Sequence, residues 1–365
     1  MSGVVHIVEP GGRGGVFQHA VSLAEHLTRL GLEVVVHTAA DAEALPGQVP
    51  RRPCFWRFPS VRPKLLRQSL FVAGWFVRGV PSCLAGVSPG DVVHIEGRFK
   101  PVLLIPLVQA ARLRRCTLTF TPHTTFSRAG RASEDVIARW VARHADAVVA
   151  LSEYDRRRVE AWGVTAVPMP LLVSAPSPTP ALVADWRQRW GAEAGRPVVL
   201  LAGQLRADKG PDLLVRAVAS MGGRAVVAMA GEDLGAVREV RKLAAELGVS
   251  LVVDEGYLPL DRFVAAVAAA DVVACPYRVG SQSAVLALAH ALGRPTVATN
   301  VGGLPELASV VVEPEDPAAL AQGIEEALRA TTVPPVRRPP AEALAPFLAA
   351  SGLRAEESTP VPTQG

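Results

Sequence analysis

GQLRADKG, residues 203–210, and PYRVGSQSAVLALAHALGRPTVATNVGGLPE, residues 276–306, decide how this chain folds and what it can hold. The first stretch follows the apolar run Val198, Val199, Leu200 and Leu201 and sets Arg206 and Lys209 at the mouth of that strand. The second passes from a Gly/Ser/Gln loop into an apolar helix. A cationic pair beside a helix N-terminus is a physical recipe for holding a diphosphate, because both supply donors and positive potential to one anion. The combination implies an enzyme whose substrate carries a nucleotide diphosphate.

Outward from these loops the second half alternates β-rich runs with amphipathic segments. The pattern predicts strands at 198–202, 225–230, 250–253, 272–275 and 296–298, with helices at 212–220, 237–246 and 261–269 between them. The first half follows the same scheme. A strand at 4–8 runs into Pro10-Gly11-Gly12-Arg13-Gly14-Gly15, and a helix follows at 17–30, with Ala20, Leu23, Ala24, Leu27 and Leu30 at helical spacing and Gly31 as its stop. Further strands are predicted at 33–38, 92–95, 117–121 and 147–150. Such alternation gives an α/β fold with parallel sheets. A Pro/Ser-rich stretch at 174–180 reads as a linker. The expected domains are therefore 1–173 and 182–330, followed by a Pro/Arg-rich, partly disordered tail at 331–365 with one short helix at 341–350.

The 365 residues exceed what one core needs, and a hydrophobic content of 49% excludes a disordered chain. A net charge of +4 without a recognition motif argues against nucleic acid as a partner. Cys54, Cys83, Cys116 and Cys275 have no metal-type spacing and read as free thiols. The opening residues enter a strand directly, and no uncharged run is long enough to span a bilayer, so the expected location is cytoplasmic.

With its two α/β halves and the nucleotide-diphosphate loop in the second, the chain resembles the GT-B glycosyltransferases, and in detail the retaining glycosyltransferases of family 4. The likeness runs from about 4 to 328 and rests on pieces in order: GGVFQHAVSLAEHLTRLGLEVVVHT, DVVHIEG at 91–97, TPHTTF at 121–126, ADAVVALSEYDRRRV at 145–159, GQLRADKG, AGEDLG at 230–235, GYLPLDRF at 256–263 and the run ending in GGLPE. The resemblance implies two Rossmann-like α/β domains facing each other across a cleft, an acceptor-binding N-terminal domain and a nucleotide-sugar-binding C-terminal one. It implies transfer of a sugar from a nucleotide-diphosphate donor to an acceptor hydroxyl or amine, in cell-envelope glycan, glycolipid or secondary-metabolite synthesis. No cofactor and no metal are expected, since no Asp-x-Asp metal site stands near the loop.

Carried onto this sequence, the resemblance gives Arg206, Lys209 and His123 as the catalytic set. The donor side would comprise Gly14, Gly15, Gln204, Arg206, Lys209, Tyr257, Ser281, Gln282, Ser283 and Glu306, and the acceptor side His19, His94 and Arg128. Plainer roles stand beside these: a tight turn at Gly14 and Gly15, a solvated charge pair at Arg206 and Lys209, a loop cap at His123, a helix cap at Ser281–Ser283 and a half-buried aromatic at Tyr257. Two departures matter. Gln204 stands where the family places an arginine, and Gly280 and Leu288 stand where most members carry two glutamates. Those losses motivate an alternative, a catalytically silent relative that binds an active transferase. A nucleotide-sugar epimerase on the same scaffold is another.

Residues 44–90 contain no acidic residue and interleave Arg51, Arg52, Arg57, Arg62, Lys64, Arg67 and Arg78 with Phe55, Trp56, Phe58, Phe71, Trp75 and Phe76. Such a patch suits an anionic or lipid-linked acceptor, or peripheral contact of 51–78 with a membrane. A membrane-associated scaffold is the corresponding non-enzymatic reading. The plain alternative is a core helix at 65–77 with a solvated basic face.

Overall fold

The computed structural model describes residues 3–44, 49–55, 70, 72–97, 104–126, 132–173, 175–192, 195–330 and 341–354. The chain forms two compact units, residues 1–174 with 340–365, and residues 175–339.

The first unit is built on a seven-stranded parallel sheet: β1 Val5–Val8, β2 Val34–Ala39, β3 Arg51–Phe55, β4 Val92–Glu96, β5 Thr117–Thr121, β6 Ala147–Ala150 and β7 Ala166–Pro168, in the order β3-β2-β1-β4-β5-β6-β7. The second has six: β8 Val198–Ala202, β9 Val226–Gly231, β10 Leu251–Glu255, β11 Val272–Cys275, β12 Thr296–Thr299 and β13 Val310–Val312, in the order β10-β9-β8-β11-β12-β13. Parallel strands need helical crossovers, which cover both faces, so the central strands are buried along their whole length. Both sheets are of the doubly wound kind, and in each the strand order reverses next to the first strand, between β1 and β4 and between β8 and β11. Open α/β sheets bind ligands outside the carboxyl ends of the strands at that reversal.

The three strands that the sequence did not announce, β3, β7 and β13, are all sheet edges. β3 reads RRPCF and β7 reads AVP, and a proline is admitted where one side of the strand has no neighbour. The helix expected at 17–30 runs Gly14–Arg29, starting inside the glycine loop. Within the helix expected at 65–77, residues 65–69 and 71 lie outside the described residues; 72–74 are helical and continue through a π-helical turn, Trp75–Gly79, into Val80–Leu84.

The separate tail needs correction. Its helix is present at Ala345–Ala350, but Leu344, Phe347, Leu348 and Leu353 are buried in the core that also holds Val5, Ile7, Val34, Val36 and Val92. An apolar segment of that density stays with the core because burial of each large side chain is worth about 2 kcal/mol. Residues 331–340 and 355–365 of that tail lie outside the described residues. The other face of the seven-stranded sheet packs Val8, Val93, Ile95, Leu118 and Phe120 against the helices Leu104–Leu113 and Ala132–His144. On the β1 to β3 side a polar chain threads the strands. Asp91 meets His6 Nε2 at 3.2 Å, His6 Nδ1 meets His37 Nε2 at 2.9 Å, and His37 Nδ1 meets Cys54 Sγ at 3.4 Å. All four cysteines are free and buried.

Candidate active site

At the first reversal point, the ends of β1, β4 and β5 bring together Glu9, Glu96 and His123, and the helix Gly14–Arg29 adds His19. Residues two apart on a strand share a face. His94 and Glu96 of β4 therefore lie on the side covered by Phe347, whose ring meets the edge of His94 at 5.2 Å between centroids. Glu96 is fully buried and ringed by imidazoles: His123 Nε2 at 2.6 Å from Oε2, His94 Nε2 at 3.1 Å and His19 Nε2 at 3.6 Å from Oε1. Burial alone would raise its pKa; the three histidines outweigh burial and hold the carboxyl well below the usual range. His94 is also met by Thr119 Oγ1 at 2.7 Å and Thr121 Oγ1 at 3.1 Å. Burial pushes His19 down to about 4, so it is neutral at physiological pH. Glu9 is pushed by burial up to about 7, against the pull of the Gly12 and Gly11 N–H groups that donate to it at 2.7 and 2.9 Å.

His19, Glu96 and His123 place three donor atoms within 4.8 Å of one another, the grouping among the described residues with the spacing of a metal site. The 2.6 Å contact between Glu96 and His123 is a hydrogen bond, and His94 occupies another side of the carboxylate. The arrangement is thus a proton network in which Glu96 is hydrogen-bonded to His123 and His94, while His19 Nε2 stands 3.6 Å away without a hydrogen bond. His123 itself has φ +55°, a left-handed conformation that a histidine adopts only when its surroundings enforce it.

At the second reversal point, three loops are stitched together through backbone. Gly210, at φ +64°, lies so close to the loop after β11 that a Cβ would fall 2.0 Å from the Pro276 carbonyl oxygen. Gly302, at φ +60°, does the same after β12: a Cβ would fall 2.0 Å from the Gly280 carbonyl oxygen, and Gly303 N–H donates to the Ser281 carbonyl at 2.8 Å. Arg278 closes the clasp. Its N–H donates to the Asp208 carbonyl at 2.9 Å, its guanidinium donates to the Ala207 carbonyl at 2.8 Å, and it grips Asp212 with two bonds of 2.8 Å. Arg278 and Asp212 were not anticipated, although Arg278 sits inside the second quoted stretch.

Lys209 lies over the Tyr277 ring, 3.7 Å from its centroid, a cation–π contact that fixes the ammonium at the mouth of β8. Arg206 does not stand open as expected: Asp208 takes it in a bidentate pair, both bonds 2.8 Å, because the short Ala207–Lys209 turn sets the carboxylate beside it. Ser283 caps the helix Ala284–Ala291 by accepting from Leu286 N–H at 3.3 Å, and Tyr277 Oη lies 3.3 Å from the same hydroxyl. Ser281 is fully buried and its hydroxyl has no hydrogen-bond partner among the described residues. Gln282 is half-buried between them.

The remaining expectations fall as follows. Gly14 and Gly15 open the helix Gly14–Arg29, half-buried, with Arg13 providing no side-chain cap. Gln204, Glu306 and Tyr257 are exposed; Tyr257 follows β10, and Glu306 ends the turn Leu304–Glu306. Arg128 lies outside the described residues. At the places of the family's glutamates, Gly280 is buried with a Cβ position 3.1 Å from Leu304 Cδ1, and Leu288 is core. Of the basic stretch, Phe55 and Trp75 stack at 4.4 Å inside the core, so they are not available to a membrane; Phe76 is exposed. Trp56, Arg57, Phe58, Arg62, Lys64, Arg67 and Phe71 lie outside the described residues. Among the described residues no helix is long and apolar enough to cross a membrane. Glu96 and Glu9 were missed as site residues. Glu96 had a signal, a histidine and a carboxylate at period two inside an apolar strand.

Residues 13–171 match the family model described as Glycosyltransferase Family 4, and residues 196–330 match that of Glycosyl transferases group 1. A D-inositol 3-phosphate glycosyltransferase of Xylanimonas cellulosilytica is 30% identical over 85% of this chain and 82% of its own length. One from Nocardia farcinica is 29% identical over 80% and 71%. Among solved structures, Anabaena HepE in complex with UDP and glucose superposes with a TM-score of 0.69 at 19% identity, covering 95% of this chain and 97% of that one. Sucrose-phosphate synthase from Thermosynechococcus elongatus gives 0.69 at 19% identity, over 90% of each chain. The fold is GT-B, with two Rossmann-like domains, and the chain belongs to glycosyltransferase family 4.

Proposed function

We propose that this protein moves a sugar from a nucleotide-diphosphate donor to an acceptor hydroxyl or amine, with retention of configuration and without a metal ion. The observation that carries the reading is the convergence of the loops after β8, β11 and β12 on one reversal point with Lys209 fixed at its mouth. Such a place offers an anion backbone N–H groups and a cation. Bond breaking leaves charge on the departing diphosphate, and preorganised donors stabilise that charge most where it develops. Lys209 meets it directly, Arg206 meets it when the diphosphate competes with Asp208, and Ser281, Gln282 and Ser283 edge the loop. Gln204, Tyr257 and Glu306 belong to the nucleoside side, and Gly14 and Gly15 are the first domain's donor-binding residues. The departing diphosphate takes the acceptor proton on the face it leaves, which preserves configuration. His123 touches the sugar and Arg128 belongs to the acceptor side, while His19 and His94, expected there too, are fully buried around Glu96 and stand behind His123.

The HepE structures contain UDP and UDP-glucose, and the curated relatives named above are D-inositol 3-phosphate glycosyltransferases. The first supports a nucleotide-sugar donor and the second a small polar acceptor; the reading extends to a lipid-linked acceptor and to cytoplasmic synthesis of envelope glycans or secondary metabolites. Membrane contact through 51–78 belongs to the lipid-linked case. The test is a nucleotide-release assay over uridine, guanosine, thymidine and adenosine diphosphate sugars with polyol and polyol-phosphate acceptors, preceded by thermal shift. A ligand at a hundred times its dissociation constant stabilises by about 2.7 kcal/mol. Acceptor-dependent release supports the reading.

Gly280 and Leu288 motivate a second reading. Gly280 carries no side chain and Leu288 is core, and a silent homologue that partners an active transferase needs no carboxylate at either place. It would bind a nucleotide sugar and never release the nucleotide, so the same assay separates the two.

A further inference from the structure

We propose that Glu96 is the positioning residue of the transfer site: it holds His123 by Nε2–H and leaves Nδ1 as an acceptor for a substrate hydroxyl. The inference rests on the reading of this chain as a working glycosyltransferase. An ionised carboxylate can only accept hydrogen bonds, so each imidazole nitrogen that bonds to Glu96 must carry the hydrogen. His19 lies further off: its Nδ1 faces both the Leu172 N–H at 3.0 Å and the Leu172 carbonyl at 3.2 Å, and its Nε2 is 3.6 Å from Glu96. His94 Nδ1 faces the Thr119 hydroxyl, a group able to donate, and its Nε2 faces Glu96.

His123 is the half-buried member of the set. Its Nε2 is 2.6 Å from Glu96 Oε2, its side chain keeps 9% of its surface, and its Nδ1 has no hydrogen-bond partner among the described residues. The left-handed backbone at His123 and the edge-on His19 ring, 5.1 Å between centroids, fix the ring's direction. The charged and titratable groups around it are Glu96 from β4, His19 from the helix Gly14–Arg29 and Glu9 from the end of β1, with His94 behind Glu96. A carboxylate behind an imidazole selects its tautomer and its orientation, and so decides whether the far nitrogen gives or takes a hydrogen bond.

The discriminating variant is Glu96→Gln. Its amide has the same shape but can donate to Nε2, which moves the hydrogen to Nδ1 and turns an acceptor into a donor. Imidazole 15N spectra of the full chain, with His123 assigned through His123→Gln, read the tautomer at pH 8. Nucleotide release reads the kinetics. The expected results are an Nε2–H ring in the wild type and in Glu96→Asp, and an Nδ1–H ring in Glu96→Gln. The kcat of Glu96→Gln should fall about 100-fold with donor KM within threefold, and Glu96→Asp should recover at least a tenth of wild-type kcat. An Nδ1–H or doubly protonated His123 in the wild type overturns the proposal, and this readout stands even where Glu96→Gln does not fold. An unchanged tautomer or unchanged kcat in folded Glu96→Gln also overturns it. If the wild type releases no nucleotide from any donor, the transfer reading fails, and the spectra still judge the role of Glu96.

Discussion

At the carboxyl end of the seven-stranded sheet the polar groups are side chains sealed from water, with Glu96, His19 and His94 fully buried. At the carboxyl end of the six-stranded sheet the corresponding groups are backbone loops drawn together at Gly210 and Gly302, with partly exposed charges at the rim. The first arrangement depends on low dielectric: every group in it must keep its partner, because an unpaired buried charge costs several kcal/mol. The second depends on close backbone approach and tolerates water. One end is therefore sensitive to protons and packing, the other to added carbon atoms and to salt.

The largest expected effect breaks the sealed end from outside. Phe347 is fully buried and lies against His94. Phe347→Ala should cost about 4 kcal/mol in urea unfolding, the usual range for a large aromatic removed from a core. A loss under about 1 kcal/mol would mean that the C-terminal segment contributes no seal to the histidine network.

Protons test the same end. His19 is lowered by burial from 6.5 to about 4, so between those pH values the unfolded chain binds a proton that the folded chain refuses. Stability from that group falls as pH drops through the window. Glu9 is raised by burial from 4.5 to about 7, so the folded chain keeps a proton that the unfolded chain has lost, and stability falls as pH rises through 4.5 to 7. Each effect amounts to about 3 kcal/mol and they oppose each other where the windows overlap. Glu9→Gln removes one of them. Urea midpoints should then show the variant losing about 3 kcal/mol relative to wild type between pH 6.5 and 4.5. Parallel curves would place the two groups outside any such balance.

Glycine substitution tests the other end. Gly302→Ala puts a Cβ into the Gly280 carbonyl and holds a non-glycine residue at φ +60°. The conformation alone costs about 2 kcal/mol, and the displaced loop should weaken nucleoside-diphosphate binding by calorimetry. Unchanged binding would separate this loop from the anion site.

The two ends also differed in how far the sequence disclosed them. The loop end was legible because its parts are near neighbours in the chain: a strand, a glycine, Arg206, Lys209, and then Ser281 to Ser283 at a helix start. The central strands were legible as runs of Val, Ile, Leu and Ala; the edge strands β3, β7 and β13 were not, since an edge tolerates Pro53 and needs no continuous apolar run. The sealed end was half legible. His123, His19 and His94 could be proposed one by one, but their common partner Glu96 emerges only when β1, β4 and β5 lie side by side in the sheet. Charge pairing was the least legible: nothing local to GQLRADKG says that Asp208 turns back onto Arg206 while Asp212, four residues later, takes Arg278.

That pairing gives the smallest and sharpest test. The Arg206–Asp208 pair is partly exposed, so it adds under about 1 kcal/mol to folding, and Asp208→Asn should leave the melting temperature nearly unchanged. Its effect belongs to the ligand. With the carboxylate gone, the guanidinium no longer has to exchange a partner, and nucleoside-diphosphate affinity at low salt should rise about threefold, a gain of under 1 kcal/mol. Lys209→Ala should lower the same affinity about tenfold, as loss of one charge-assisted bond does. The two variants together decide which cation faces the anion. A gain in Asp208→Asn with a loss in Lys209→Ala puts both at the phosphates. A loss in Asp208→Asn would mean that Asp208 aims Arg206 rather than competing for it, and no change would leave Lys209 as the cation that meets the diphosphate.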